Sequence, residues 1–386
     1  MALPLSYNVR SLFVRGRVTL LAIGGIALVV AVLVVLFAMA NGFRLALRAT
    51  GSPDNAIVTQ RGSNSELTSG ISREHAQVLM ADERVMPGPG GAPLASPEMV
   101  VVASLKRKDG MDVNVTVRGT TPAAFAVRTG VRIGEGRRFQ PGLYEVVIGR
   151  KLQQRMKDFD VGRTIRLQRK DWTIVGVLDA GGSGFESEIW GDVDAMGPAF
   201  NRGGGYQSLT LRMRNPRAIR ALNAELQRNP RMQVQVVQER QYYENQSGDV
   251  AGQLLGLAGF VAVVMGIGAV FGAMNTMYAI VAARTREIGT LRALGFSKAA
   301  ILTSFVLEST VLALVGGAIG CAVALPFNGI SSAAGGANFA EISFAFRVTS
   351  DALVTGMTLA LLIGVAGGLL PAFRAARLPI TAALRS

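Results

Sequence analysis

Cysteine and histidine are almost absent: Cys321 and His75 are single copies in 386 residues. One cysteine excludes an internal disulfide framework and any multi-cysteine metal cluster. One histidine leaves a His-based zinc site or a Ser–His relay almost no material. Charge is scarce too. Asp, Glu, Lys and Arg make up 17% of the chain, below the roughly 25% of an ordinary soluble domain. The sequence contains no Gly-Lys dipeptide, and so no Walker A phosphate loop. The glycine-rich stretches 181–184 and 203–205 lack the strand, helix and Lys that such a loop needs, and read as turns or hinges. A wholly soluble chain is not expected, and an apolar content of 49% rules out disorder.

What the sequence has in abundance is apolar runs. Residues 18–43 carry no charge, and neither do the 34 residues 250–283. Residues 301–327 carry Glu308 alone, and the 22 residues 352–373 carry none. A bilayer core takes about 20 apolar residues as a helix, the conformation that satisfies its own backbone groups. Four spans are therefore expected. The first is too long for the 7–15-residue apolar core of a signal peptide and reads as an anchor. The second run exceeds a bilayer's thickness, so part of it is expected to project as a stalk.

Basic residues set the expected orientation. Arg10, Arg15 and Arg17 precede the first span; Arg284, Arg286, Arg292 and Lys298 follow the second; Arg374, Arg377 and Arg385 follow the fourth. Between the third and fourth spans only Arg347 is basic. Both termini and the middle loop are thus expected in the cytoplasm. The expected fold class is an α+β membrane protein with four transmembrane helices and a large mixed α/β domain inserted between the first and second. Its divisions are an amphipathic tail at 1–17, spans at 18–40, 252–283, 301–327 and 352–373, and an outer domain at 41–251. The loops are 284–300 and a short outer loop 328–351, with the tail at 374–386. The outer segment holds 29 of the 40 basic residues, but long translocated domains largely escape the charge rule. With no paired cysteines, it reads as a bacterial envelope domain stabilised by its core.

Within the outer segment, a strand at 55–59 precedes a helix from Ser72 to about Val85, with Val78 and Leu79 on its buried face. Residues 99–105 and 111–117 flank Lys108-Asp109-Gly110 as a hairpin, with Met111, Val113, Val115 and Val117 alternating inward. A strand at 208–213, a helix opened by Asn215 and Pro216, and a strand at 232–237 complete a split α/β layer. Residues 86–201 form an inserted β-rich lobe.

The loop after the second span contains Arg286-Glu287-Ile288-Gly289-Thr290-Leu291-Arg292-Ala293-Leu294-Gly295. It reads as a short helix with Ile288, Leu291 and Leu294 on one stripe, a polar border of Arg286, Glu287 and Arg292, and Gly295 as a left-handed stop. A narrow apolar stripe outside lipid needs a protein partner or the membrane surface to cover it. Glu308 is a costly intramembrane carboxylate, expected in an ion pair with Arg15, Arg17 or Arg286. The spacings Gly268/Gly272, Gly316/Gly320 and Gly364/Gly368 permit close helix approach, within one subunit or between two.

The 286–295 run, the Leu307-Glu308-Ser309 that follows and the tail Gly367-Gly368-Leu369-Leu370-Pro371 resemble the MacB/FtsX-type permease subunits of ABC transporters. So does the order of one span, a large outer domain and three spans. One departure is Leu378-Pro379, where the family commonly has Asp before Pro. The resemblance implies a permease in the bacterial inner membrane with its large domain periplasmic. It implies a second permease, in a homo- or heterodimer, and a coupling helix at Arg286, Glu287, Ile288, Gly289, Leu291, Arg292, Ala293, Leu294 and Gly295. That helix would dock on a separate ABC ATPase dimer, which binds the ATP and Mg; no cofactor is expected in this chain. Membrane lipid and a periplasmic adaptor or membrane-fusion protein are further expected partners; nucleic acid is not. No catalytic constellation stands out, so the chain is not expected to be an enzyme. The implied function is mechanotransmission to the periplasm for export or extraction of an envelope substrate. The alternative is an FtsX-like regulator signalling to cell-wall hydrolases.

Overall fold

The computed structural model describes residues 16–334 and 341–379. The segments 1–15 and 380–386, with Arg10, Arg15 and Arg385, lie outside the described residues. The chain divides into two compact units, one comprising residues up to 41, 251–330 and from 346 on, the other 42–250 and 331–345.

The first unit is helical. It takes in most of α1 (Gly16–Arg48). Among the described residues four helices, α1 among them, are long and apolar enough to cross a membrane. The others are numbered after the short helices of the second unit: α7 (Glu239–Ala283), α9 (Lys298–Ala324) and α10 (Ser350–Ala376). Between α7 and α9 lies the short α8 (Thr285–Ala293). At 1.5 Å per residue α7 is about 67 Å long. Capping sets where the helices start: Ser297 Oγ accepts the Ala300 N–H at 3.1 Å, and Thr349 Oγ1 accepts that of Ala352 at 3.3 Å. Thr349 Oγ1 also accepts from Asn41 Nδ2 at 3.1 Å, joining α1 to the start of α10.

Glycine lets these helices approach. A Cβ on Gly316 would lie 2.9 Å from the Ile23 carbonyl oxygen, and one on Gly320 2.5 Å from that of Ala27, so both seat α1 against α9. A Cβ on Gly364 would lie 2.7 Å from the Ala313 methyl, and one on Gly368 would overlap the Ser309 hydroxyl. Ser309 Oγ donates to the Gly364 carbonyl at 2.8 Å, adding a polar tie between α9 and α10. Gly268 and Gly272 are exposed on α7, with open space where a Cβ would stand.

The second unit is built on a sheet. Its strands are β1 (Asn55–Gln60), β2 (Ile71–Ser72), β3 (Ala95–Lys106), β4 (Asp112–Thr120), β5 (Arg132–Gly136) and β6 (Glu145–Gly149). They continue as β7 (Thr164–Leu167), β8 (Lys170–Asp179), β9 (Glu188–Asp192), β10 (Gly205–Tyr206), β11 (Ser208–Arg212) and β12 (Val234–Gln238). The main sheet runs β12-β1-β11-β3-β4-β9-β6-β8-β5, with β7 on β8. It is mixed: β4–β9 and β6–β8 are parallel, the other pairs antiparallel.

Two apolar cores form on it. Val58, Leu209, Leu211 and Val236 of β1, β11 and β12 pack with Leu79 of α2 (Arg73–Met80). Leu222 and Leu226 of a later helix, Arg217–Arg228, close that core. Val117, Ile148, Trp172, Ile189 and Met196 anchor the other core. The short helices α3 (Ala124–Val127), α4 (Arg150–Arg155) and α5 (Val193–Ala199) precede that later helix, which is α6.

Two local expectations fail. Helix α2 stops at Met80, five residues early, and Val78 is 59% exposed while Leu79 is buried. Neighbouring helical positions are about 100° apart, so two turns with Ala76 and Leu79 inward leave Val78 outside. Met111 is also exposed, because the strand begins at Asp112 and Met111 belongs to the turn.

The segment between α9 and α10 is more than a short loop. Strands β13 (Ser331–Ala334) and β14 (Ile342–Ala345) pair antiparallel and belong to the second unit. Phe344 is buried and meets Phe43 edge-on, with ring centroids 5.6 Å apart. Arg155 of α4 donates to Ser343 Oγ at 2.6 Å and to Glu341 Oε2 at 3.0 Å. Ser343 N donates to Ser187 Oγ at 3.0 Å, and Glu341 N to the Asn114 carbonyl at 2.8 Å. Burial pushes the Lys151 amine down, against Glu186, and Lys151 Nζ donates to the Ser343 carbonyl at 3.2 Å. Arg155→Ala should raise the amide exchange rate of residues 342–345 while exchange in β1 and β8 stays at the wild-type level, as read by hydrogen-exchange mass spectrometry of the whole chain.

Candidate functional site

The end of α7 is set by one residue. Arg284, at φ −111° and ψ 15°, leaves the helical region, and α8 begins at Thr285. At the other end of α8, Gly295 has φ +93°, a conformation that strains any residue with a Cβ. Gly295 N donates to the Arg292 carbonyl at 3.2 Å and Phe296 N to that of Leu291 at 3.1 Å, the paired closure of a Schellman stop. Helix α8 is thus a separate nine-residue rod with a defined break at each end.

Its faces divide differently from the expected stripe. Ile288 and Gly289 are buried. Ile288 joins Met277, Ile301, Phe305 and Ala375 in one apolar cluster. Leu291 and Arg292 are half-buried, while Arg286, Glu287, Thr290, Ala293 and Gly295 are exposed. Leu294 is 70% exposed. Ile288 and Leu294 are six residues apart, so the 3.6-residue period already carries them off a common face, and Leu294 sits in the closing turn. The large apolar side chain left exposed is therefore Leu294, with Leu291 half-buried, rather than the whole stripe.

Arg284 ties the rod to its neighbours. Its Nη1 lies 3.0 Å from Glu308 Oε2 on α9, and its Nε donates to Glu287 Oε2 on α8 at 3.1 Å. Its guanidinium carbon stands 5.8 Å from the Phe305 ring centroid. Both Arg284 and Glu308 are buried, Glu308 to 2% exposure. Arg286, expected as a partner of Glu308, is exposed instead; it lies on the outward face of α8, two residues beyond the break. The sequence singled out Arg284 only as a topology-setting charge. The usable signal was its place as the first charge after an uncharged run, 24 residues before the lone carboxylate. The crevice beside the pair, lined by Ile288, Leu291, Ile301, Ser304 and Phe305, has a volume of about 10 Å³. Among the described residues, no group of three or more His, Cys, Asp or Glu could hold a metal ion. The arrangement fixes how α8 is held against α7 and α9, with Arg286, Glu287 and Thr290 outward.

Comparison with known proteins covers both units. The family model for the MacB-like periplasmic core domain matches residues 19–229, and that for the FtsX-like permease C-terminal region matches residues 259–380. A macrolide export ATP-binding/permease protein MacB of Bordetella avium is 28% identical over 326 residues, which is 78% of this chain and 47% of that protein. The uncharacterized ABC transporter permease YknZ of Bacillus subtilis is 37% identical over 129 residues, 33% of this chain and 30% of that one. The aligned part thus spans less than half the length of these relatives. Among solved structures, the periplasmic region of MacB from Actinobacillus actinomycetemcomitans aligns with a TM-score of 0.38 at 12% identity, covering 52% of this chain and 95% of that one. The extracellular domain of YknZ from Gram-positive bacteria gives a TM-score of 0.37 at 15% identity, covering 47% and 99%. With over half of its length matched by the periplasmic core model and most of the remainder by the permease model, the chain belongs to the MacB/FtsX-type family of ABC transporter permeases.

Proposed function

We propose that this chain is the transmembrane subunit of a MacB-type ABC transporter in the bacterial inner membrane. Helix α8 is its coupling helix, held on the cytoplasmic side together with both termini, and the sheet-bearing unit is periplasmic. A partner ABC ATPase dimer binds ATP and Mg and grips the outward face of α8. A second permease completes the assembly. ATP-driven closure of the ATPases is passed through α8 to α7 and α9, and drives export or extraction of an envelope substrate. The observation that carries this reading is the short rod itself: broken from α7 at Arg284, stopped at Gly295, and fixed by Arg284 to the buried Glu308. A rod with an exposed polar face, one exposed leucine and a rigid root suits a lever pushed from outside. The lysine and arginine positions support the orientation.

The FtsX-like match to residues 259–380 also supports a second reading, a regulator that reports ATPase state to periplasmic effectors. A cell-wall hydrolase captured by the periplasmic unit would favour that reading over transport.

Arg286→Glu combined with Leu294→Asp reverses one outward charge and removes the exposed apolar anchor without touching Ile288. Covering a leucine contributes about 1.5–3 kcal/mol, so ATPase binding should weaken roughly tenfold or more. Co-purification and permease-dependent ATPase activity read this out; wild-type levels of both would remove α8 from the coupling role. Glu308→Leu leaves Arg284 buried without its α9 carboxylate, and should lower stability by about 3–5 kcal/mol. Glu308→Gln, which keeps the acceptor, should lose less. Thermal unfolding of the detergent-solubilised chain compares the two.

A further inference from the structure

The first residue of α7, Glu239, is completely buried within the periplasmic-type unit. A carboxylate at a helix start is favourably placed by the helix dipole. Its oxygens accept from Arg128 Nε at 2.7 Å, Asn55 Nδ2 at 2.8 Å and Ser52 N at 3.0 Å. Arg128, just past the end of α3, is itself buried and forks onward. It donates through both Nη atoms to Glu98 on β3 and at 2.8 Å to Thr210 Oγ1 on β11.

Glu98 is shared. Arg118 of β4 donates to it at 2.7 Å, to Glu66 at 2.8 Å, and to Glu188 of β9 at 2.8 and 2.9 Å. Burial pushes the Glu98 carboxyl up, but Arg128 and Arg118 outweigh it and hold it below the usual carboxylate range, so it stays ionised. One turn along α7, Tyr242 Oη accepts the Glu66 N–H at 2.8 Å, and Tyr243 Oη donates to Glu66 Oε2 at 3.4 Å. The Tyr243 ring stands edge-on to Phe185 with centroids 5.7 Å apart.

These contacts gather at one junction. Thr210 lies on β11, a strand of the core closed by α6; Glu98 lies on β3, whose Ala95 joins that core and whose Met99 joins the other; Arg118 and Glu188 lie on β4 and β9, strands of the other core. Apolar side chains of equal volume would serve stability as well or better than buried ions. What directional, charged bonds add is register. A cavity of about 50 Å³ borders the junction, lined among others by Asn55, Arg128, Ser183 and Glu239. Asn55 Oδ1 and Ser183 Oγ are buried there without hydrogen-bond partners. The junction is therefore bonded tightly through its ions yet packed loosely beside them.

We propose that Glu239 and Arg128 are positioning residues that form the joint through which displacement of α7 reaches both halves of the sheet. The proposal rests on the transport reading above for the source of that displacement. Without the joint, the helix would move and the sheet would not follow.

Paired spin labels test it in the full chain, assembled with its ATPase in lipid nanodiscs on a Cys321→Ala background. One label replaces the exposed Asn245 on α7; the other replaces Gln227 on α6 or Lys170 on β8. The wild type should give a narrow distance distribution for both pairs, unchanged by a non-hydrolysable ATP analogue because the sheet follows the helix. Glu239→Ala should broaden both distributions and make them shift with the analogue, while the ATPase still turns over. Arg128→Lys keeps the charge but loses the fork, and should do the same. Glu239→Gln, which still accepts from Arg128, Asn55 and Ser52, should remain narrow. Narrow distances that the analogue leaves unchanged in Glu239→Ala or Arg128→Lys overturn the joint. Failure of the wild-type chain to bind an ABC ATPase would count against the transport reading instead, and the joint is then judged on the widths alone.

Discussion

The ion pair between Arg284 and Glu308 sits among apolar side chains, and the arrangement of α7, α8 and α9 depends on it. A guanidinium buried this deeply is costly unless a carboxylate meets it, so the α7 chain break and the α9 carboxylate are drawn together. The same arginine holds Glu287 on α8. One residue thereby links three helices, and the phenylalanine below it, Phe305, supplies an aromatic face for the cation. Ile288 is buried beside it, and Arg286, Glu287 and Thr290 of α8 are exposed.

Elsewhere in the helical unit the determining property is size. Gly316, Gly320, Gly364 and Gly368 each stand where a methyl group would strike a neighbouring helix. Dispersion and backbone-to-backbone proximity hold such helices together when the surroundings are as apolar as the side chains. The α7 pair Gly268 and Gly272 has the same spacing but, among the described residues, nothing within 4 Å of where a Cβ would stand. Spacing alone therefore does not say which helix a glycine faces.

The periplasmic-type unit uses another economy. Its two cores are apolar, but the strands between them meet at charged residues, with Glu98 shared by two arginines. The alternation of Val113, Val115 and Val117 was legible because one face of β4 packs on a core. That pattern breaks at the end of the strand, where residues 117–120 are all buried. With both faces covered, a period of two no longer separates inside from outside, which is why Arg118 was not visible as a core residue. The hairpin of β13 and β14 was equally hidden: Ser, Ala and Gly dominate its segment, and its place is set by Arg155, some 190 residues earlier.

Along the chain, the length of each uncharged run determined the four long helices, and the glycine after Leu294 determined where α8 stops. Both are local properties, carried by backbone hydrogen bonding within a few residues of the position concerned. Which charges meet was decided only in three dimensions. Arg284 and Glu308 are 24 residues apart and Arg128 and Glu239 are 111 apart. No period connects such positions, and a buried charge takes the partner that tertiary packing brings within reach rather than the one that sequence proximity suggests.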